Sequence, residues 1–234
     1  MQRSTTYLGV FVVLVLAQGC SKSPDFLVKL AAEKCRATDY RGAIADCSEA
    51  IRANPQFAEA FEWRGIALLR TGNTSGAISD LNQAIRLNPK SAPAYDNRSV
   101  IWQEKGDYGK AIADATEAIR LDPRDAEAYY NRGSSRGRSG DYAGSVADLT
   151  EAISLAPGDP ECYCNRGISL ERLREFEKAE ADFTDAIRLR TNYAKAYFGR
   201  SIAREDMGNH AGAVSDSNEV VRLDPRAYQM QHNR

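Results

Sequence analysis

The chain has 234 residues, of which 43% are hydrophobic, so it can build one large core or an array of repeats. Its 31 basic and 32 acidic side chains nearly cancel, which argues against a nucleic-acid-binding protein. Only His210 and His232 could supply imidazole chemistry, so we expect no catalytic centre, no metal and no cofactor.

The first 19 residues have the layout of an export signal. Arg3 supplies a positive charge, and an apolar run broken only by Gly9 follows from Tyr7 to Ala17. A bilayer-spanning helix needs about 20 apolar residues, so this run is too short to cross a membrane. The pattern predicts a signal peptide over residues 1–19 that is removed on export.

The segment Ala17-Gln18-Gly19-Cys20 resembles a bacterial lipobox, in which the cysteine after the cut is lipid-modified. The resemblance implies a lipidated Cys20, a short tether over residues 20–23, and a lipoprotein at the periplasmic face of a bacterial membrane. However, Ala17 stands where the motif favours Leu. An ordinary signal peptidase could cut the same bond, which would give a secreted or periplasmic protein without lipid.

The remaining cysteines do not predict a zinc site. Cys162 and Cys164 are two residues apart on a predicted helix, so they point to different faces and cannot form a disulfide. Cys35 and Cys47 are expected to be small buried side chains, with a disulfide in an oxidising compartment as the alternative.

Prolines recur at intervals of 34 residues and define six units. They stand at Pro55, Pro89, Pro123, Pro157 and Pro225, with Thr191 at the one missing place. The units are 24–57, 58–91, 92–125, 126–159, 160–193 and 194–227. Each proline is expected to end the second helix of its unit.

Two columns of small residues predict a helical hairpin in each unit. The eighth position holds Ala31, Gly65, Ser99, Gly133, Gly167 and Ser201, and the twentieth holds Ala43, Ala77, Ala111, Ser145, Ala179 and Ala213. Two antiparallel helices approach most closely where side chains are this small. Between them, a Gly followed by Asp or Asn at 72–73, 106–107, 140–141 and 208–209 would end one helix and cap the next. Thr38 and Arg174 replace this Gly in two units.

These spacings resemble the tetratricopeptide repeat over residues 24–227, nearly all of the mature chain. The resemblance implies an all-α fold, an α-solenoid of six 34-residue helix-turn-helix units wound as a right-handed superhelix with a concave face. The tail 228–234 is too short for the capping helix that the family usually has.

A column of arginines and a column of aspartates are expected to face each other within the units. The predicted pairs are Arg64–Asp80, Arg98–Asp114, Arg132–Asp148, Arg166–Asp182 and Arg200–Asp216. We favour structural ion pairs over an anion-binding stripe, because the two columns occur together unit by unit. Unit one departs from the pattern, with Leu30 opposite Asp46.

By the family resemblance, the concave groove is lined by first-helix positions. The fifth, ninth and twelfth positions include Glu62, Ile66, Leu69, Asp96, Val100, Tyr130, Ile168, Phe198 and Ile202, and the sixth includes Asn97, Asn131 and Asn165. In related peptide-binding repeats an Asn at this place holds the ligand backbone, and its donor and acceptor suit a main-chain amide. A local hydrogen bond within the helix is the alternative.

We therefore expect a non-catalytic scaffold that binds a protein or peptide in the groove, contacts no nucleic acid, and meets the membrane only through a lipid on Cys20. The residues around the three asparagines do not match the carboxylate clamp of chaperone-binding relatives, so capture of a chaperone tail is not expected. Two alternatives remain, a pilotin-like assembly factor for an outer-membrane complex and a self-assembling repeat protein. The sequence contains no nucleophile motif, metal cluster or phosphate loop that would favour an enzyme.

Overall fold

The computed structural model describes residues 23–225, and within that range it contains twelve α-helices and no β-strand. The helices are α1 (Pro24–Arg36), α2 (Tyr40–Ala53), α3 (Ala58–Arg70), α4 (Thr74–Leu87), α5 (Ala92–Glu104), α6 (Tyr108–Leu121), α7 (Ala126–Ser139), α8 (Tyr142–Leu155), α9 (Pro160–Arg172), α10 (Phe176–Leu189), α11 (Ala194–Asp206) and α12 (His210–Leu223). The export signal, Cys20 and the tail 228–234 lie outside the described residues.

The two helices of each unit meet at the small-residue columns. A Cβ added at Gly65 would lie 3.3 Å from the carbonyl oxygen of Ala77, and one added at Gly133 would lie 3.3 Å from that of Ser145. Larger side chains at these glycines would force the helices apart. Helices of this length are marginal alone, so their stability comes from burial against the other helix and against the neighbouring units.

The odd-numbered helices form one layer of the molecule and the even-numbered helices form the other. Each odd helix contacts the next odd helix, from α1 and α3 through to α9 and α11, whereas within the described range no two even helices are in contact. The odd layer is therefore the tighter, inner layer of a curved stack. The expected all-α solenoid of helical repeats is confirmed.

The turn between the helices of each unit uses a left-handed backbone conformation. Gly72, Gly106, Gly140 and Gly208 have φ between 75° and 94°. Thr38 and Arg174 adopt the same conformation, with φ of 61° and 63°, although neither is a glycine. Replacing the glycine in these two units therefore adds backbone strain but leaves the conformation of the turn unchanged.

The proline at the end of a unit is not needed to end its second helix. α10 ends at Leu189, the equivalent of Leu155 and Leu223, although Thr191 stands in the place of the proline. The N–H of Arg190 still bonds to the carbonyl oxygen of Ala186 before the chain turns extended. The extended backbone of Arg190 ends α10 although no proline follows it.

Candidate functional site

Each arginine of the predicted column forms two hydrogen bonds with the aspartate of its own unit. Nε and Nη2 of the arginine donate to the two carboxylate oxygens over 2.6–2.9 Å. The pairs are Arg64–Asp80, Arg98–Asp114, Arg132–Asp148, Arg166–Asp182 and Arg200–Asp216. All five aspartates are buried, so the bidentate geometry neutralises charges that would otherwise be costly inside the protein.

The same arginines also link consecutive units, which the sequence reasoning missed. Nη1 of each arginine donates to a polar side chain of the preceding unit over 2.6–3.4 Å. The acceptors are Ser48, Asn82, Thr116, Thr150 and Thr184. Each guanidinium also lies 5.5–5.8 Å from the centre of the aromatic ring three residues earlier. Because their nitrogens are engaged in this way, these arginines have few donors left for an anion. The sequence signal for the link between units was the hydroxyl or amide residue at the twenty-fifth position of each unit.

Unit one compensates for Leu30 with a lysine one turn further along α1. Lys34 Nζ lies 2.6 Å from Asp46 Oδ2, and this pairing raises the pKa of Lys34. The equivalent eleventh position of the fourth and sixth units holds Arg136 and Arg204, which add a further bond to the aspartates of their own units over 2.8 and 2.9 Å. A basic residue at the eleventh position is therefore a second source of positive charge for the aspartate column.

The inner surface of the stack contains a cavity of about 480 Å³ that is lined by residues of four consecutive units. Its wall consists of Ile66, Leu69, Arg70, Asp96, Asn97, Val100, Ala126, Glu127, Tyr130, Asn131, Ala156, Asp159 and Cys162. We call it the acidic cavity, because three of its charged side chains are carboxylates and one is a guanidinium. It brings together the predicted groove residues Ile66, Leu69, Asn97, Val100, Tyr130 and Asn131. Residues four apart on a helix share a face, which is why Asp96 and Val100 of α5 both face it.

A second cavity of about 360 Å³ continues the surface beyond Tyr130 and contains Asn165 and Ile168. We call it the polar cavity, since Gln103, Arg138, Glu161 and Lys195 also line it. Burial raises the pKa of Tyr130 to about 12, and its hydroxyl therefore stays protonated at the junction of the two cavities.

Three predicted groove residues line neither of these two cavities. Phe198 and Ile202 lie on α11 and are partly buried. Glu62 accepts a hydrogen bond of 2.8 Å from Ser91 Oγ, and burial raises the pKa of its carboxyl group. Glu62 is thus engaged with the residue that caps the start of α5.

The three asparagines have different internal partners. Asn97 Nδ2 donates to the carbonyl oxygen of Pro93, 2.8 Å away within the same helix. Asn131 is buried and donates to Asp96 Oδ1 over 2.8 Å. Asn165 donates to the Tyr130 hydroxyl over 3.2 Å and accepts from Lys195 Nζ over 2.9 Å. A ligand backbone would have to compete with these bonds. The competition is weakest at Asn97, because its Oδ1 accepts no bond within the described residues.

Asp96 is the most perturbed carboxylate of the groove. Only 7% of its surface is exposed, and burial raises the pKa of its carboxyl group to about 6, with smaller contributions from the nearby charges of Asp125 and Glu127. The hydrogen bond from Asn131 opposes the rise but does not cancel it. A buried carboxylate that remains largely ionised at neutral pH marks a candidate functional position.

The sequence matches the family model described as tetratricopeptide repeat over residues 29–92, 103–160 and 164–228. The chain is a tetratricopeptide repeat protein. Members of this family are generally non-catalytic scaffolds for other proteins. In a comparison with curated proteins, no sequence matches this tetratricopeptide repeat protein.

Solved structures share the fold of this tetratricopeptide repeat protein at low sequence identity. PilF of Pseudomonas aeruginosa superposes with a TM-score of 0.79 at 17% identity, covering 90% of this chain and 97% of PilF. PilW, described as a type IV pilus biogenesis factor, gives 0.78 at 19% identity, covering 89% and 97%. YrrB, described as having an unusual peptide-binding site, gives 0.68 at 17% identity, covering 80% and 97%. At these identities the likeness shows the fold alone.

Two features are absent from the described residues. Across residues 23–225, no group of three His, Cys, Asp or Glu side chains is arranged to hold a metal ion. In the same range, none of the helices is long and apolar enough to cross a membrane.

Proposed function

We propose that this tetratricopeptide repeat protein is a non-catalytic scaffold that holds a peptide, or an extended segment of a partner protein, along the odd-numbered helices. The observation that carries the proposal is the acidic cavity. Side chains of α3, α5 and α7 at equivalent repeat positions converge there, and its volume lies within the range of about 300–1,000 Å³ that is typical of ligand sites.

The composition of the wall suits a peptide. Ile66, Leu69 and Val100 offer apolar contacts, and the Tyr130 hydroxyl can donate a hydrogen bond toward the groove. Asn97 Oδ1 can accept from a main-chain amide while its Nδ2 stays bonded to Pro93. A few polar groups set among apolar side chains give orientation as well as affinity.

Blocking the cavity tests the proposal. Peptides are selected from a displayed random library on the purified chain, and their affinities are measured by fluorescence polarisation. Val100→Trp fills the cavity and is expected to weaken binding at least about 10-fold. The matched control is Val214→Trp, at a side chain that is 60% exposed on α12, and it should leave affinity unchanged. Failure to select any peptide, or equal affinities for both variants, would contradict the proposal.

The cellular place of the scaffold is a separate part of the proposal. We infer a lipoprotein of the bacterial cell envelope, exported by residues 1–19 and anchored through Cys20, because the sequence at 17–20 resembles a lipobox. Labelling of producing cells with a radioactive fatty acid should mark the wild-type chain but not Cys20→Ser. Label on both chains, or on neither, would contradict the lipid anchor; processing without label would indicate a secreted or periplasmic protein.

An assembly factor for an outer-membrane complex, similar to a pilotin, is a second candidate. The superpositions on PilF and PilW cover almost the whole of both chains, which favours a scaffold of similar extent but does not transfer their roles. Deletion of the gene should then reduce the amount of assembled complex in the outer membrane. Unchanged envelope complexes would exclude this candidate.

Self-assembly through the last unit is a third candidate, favoured by two apolar side chains on α12. Val214 is 60% exposed and Val221 is 37% exposed, one heptad apart on the same helix. Analytical ultracentrifugation should then show oligomers for the wild type and a monomer for Val214→Lys. A monomeric wild type would rule this candidate out.

A further inference from the structure

The acidic cavity has an excess of negative charge on its wall. Asp96, Glu127 and Asp159 are carboxylates and Arg70 is the one guanidinium, which leaves a net charge of −2 when all four are ionised. Arg70 and Glu127 are both exposed, so water screens both charges, whereas Asp96 is buried and Asp159 is half-buried and their charges are screened less. A ligand that enters this cavity therefore meets a negative potential.

The carboxylate of Asp96 is incompletely satisfied. Its Oδ1 accepts the hydrogen bond from Asn131, but no group within residues 23–225 donates to its Oδ2. Because only 7% of the residue is exposed, water can compensate this oxygen only in part. Asp96 lines the cavity, and a cationic donor from a ligand would supply the missing bond to Oδ2.

Apolar side chains also line the same cavity. Ile66 and Leu69 come from α3 and Val100 comes from α5. Lysine and arginine carry an aliphatic stem below a cationic head, so each matches an apolar wall that ends at a carboxylate.

We propose that the acidic cavity binds a lysine or arginine side chain of the partner peptide, with the cationic head on Asp96 Oδ2 and the stem against Ile66, Leu69 and Val100. This inference rests on the proposed function, since it assumes that a peptide occupies the groove.

The polar cavity next to it would not accept the same side chain. Arg138 and Lys195 contribute positive charge there, and the carboxylate of Glu161 is already engaged with Arg190 at 2.8 Å and with the Tyr193 hydroxyl. The basic residue of the peptide is therefore directed to the acidic cavity, which sets its position along the groove.

The binding should depend on pH. The charged groups facing Asp96 are Arg70 from α3, Glu127 from α7, Asp125 just before α7 and Asp159 just before α9. Burial raises the pKa of Asp96 to about 6. A bound cation favours the ionised carboxylate, so affinity for a basic peptide is greatest above this pKa and falls as the pH drops through it.

The test compares a selected basic peptide with its copy in which the lysine or arginine is replaced by methionine. At pH 7.5, the basic peptide should bind the full-length wild-type chain about 10- to 100-fold more tightly, the range expected for a charged hydrogen bond. Asp96→Asn should abolish this difference. Asp185→Asn removes an acid from α10 that pairs with Arg188 on the outer layer, and it should keep the difference.

The outcomes separate this inference from the proposed function. If peptides bind in the groove but the methionine copy binds equally well, or if Asp96→Asn preserves the preference, the inference is overturned and the proposed function stands. If Val100→Trp has no effect on any peptide, both are overturned.

The pH profile of the wild type decides the matter even if Asp96→Asn does not fold. Affinity for the basic peptide should fall between pH 7 and pH 5 while affinity for the methionine copy stays level. Parallel profiles would overturn the inference.

Discussion

At the residue scale, the molecule contains strain and uncompensated charge at a few identifiable positions. Thr38 and Arg174 hold a backbone conformation that glycine holds in the other four turns, and Asp96 is ionised in a buried site. Each costs folding free energy that a substitution can recover. The difference is that the two turn residues line neither the acidic nor the polar cavity, whereas Asp96 lies in the wall of the acidic cavity.

Asp96→Asn should make the protein more stable at neutral pH. The folded-state pKa lies above that of the unfolded chain, so the ionised carboxylate begins to destabilise the fold as pH rises above about 4, and its full cost is present above about 6. The rise corresponds to about 1–3 kcal/mol. Urea unfolding at pH 7.5 should show this gain, and unfolding at pH 4 should show almost none. A gain that does not depend on pH would contradict the assigned ionisation.

Thr38→Gly should stabilise the protein by about 0.5–1 kcal/mol. The φ of Thr38 is 61°, a conformation that costs a residue with a Cβ about 1–2 kcal/mol, and the greater freedom of glycine in the unfolded chain offsets part of the gain. Thermal unfolding measures the change. The same substitution at Thr71, where φ is −93°, should give no gain. Equal effects at both sites would show that the strain is not relieved.

At the scale of the element, the charged columns connect helices rather than bind ligands. One arginine joins the first helix of its unit to the second through the aspartate, and to the second helix of the unit before it through Nη1. Sixteen residues separate the partners in both directions. This repetition couples the hairpins one after another, which suits an array whose units are not stable alone.

Asp148→Ala should therefore destabilise the array by about 3–5 kcal/mol. Asp148 is 3% exposed and accepts bonds from both Arg132 and Arg136, so its loss leaves the partly buried Arg132 without a carboxylate and Arg136 with only Asp141, 3.5 Å away. Denaturant unfolding measures the loss. The control is Glu117→Ala, which breaks an ion pair within the exposed surface of α6 and should cost less than about 1 kcal/mol. Similar losses would contradict the structural role of the column.

At the scale of the whole molecule, the stack is not uniform along its length. Among the helix pairs that join consecutive units, α4 and α5 share the least extensive contact, and α3 also has its least extensive contact with α5. The acidic cavity lies across this junction, with Ile66 on one side and Val100 on the other. The place where the units pack least is thus the place where a ligand can enter.

Hydrogen exchange should reveal this junction as the boundary between two cooperative parts. Amides of α1–α4 should exchange through an opening that requires less free energy than the opening of α6–α10, because fewer interactions hold the first two units to the rest. Native-state exchange followed by mass spectrometry measures both. A peptide bound in the acidic cavity should reduce the difference, since it contacts both sides. Uniform protection from α1 to α10 would contradict the prediction.

The sequence alone determined the period of the array, the helix pair in each unit and the Arg and Asp columns, because these depend on residues at fixed spacing in one hairpin. The tertiary structure decided which groove side chains are engaged with one another. Asn131 bonds to Asp96, Glu62 bonds to Ser91, and Lys34 replaces the missing arginine of unit one. These contacts depend on the distance and rotation between helices, which the packing of many side chains sets together and no single column of residues contains.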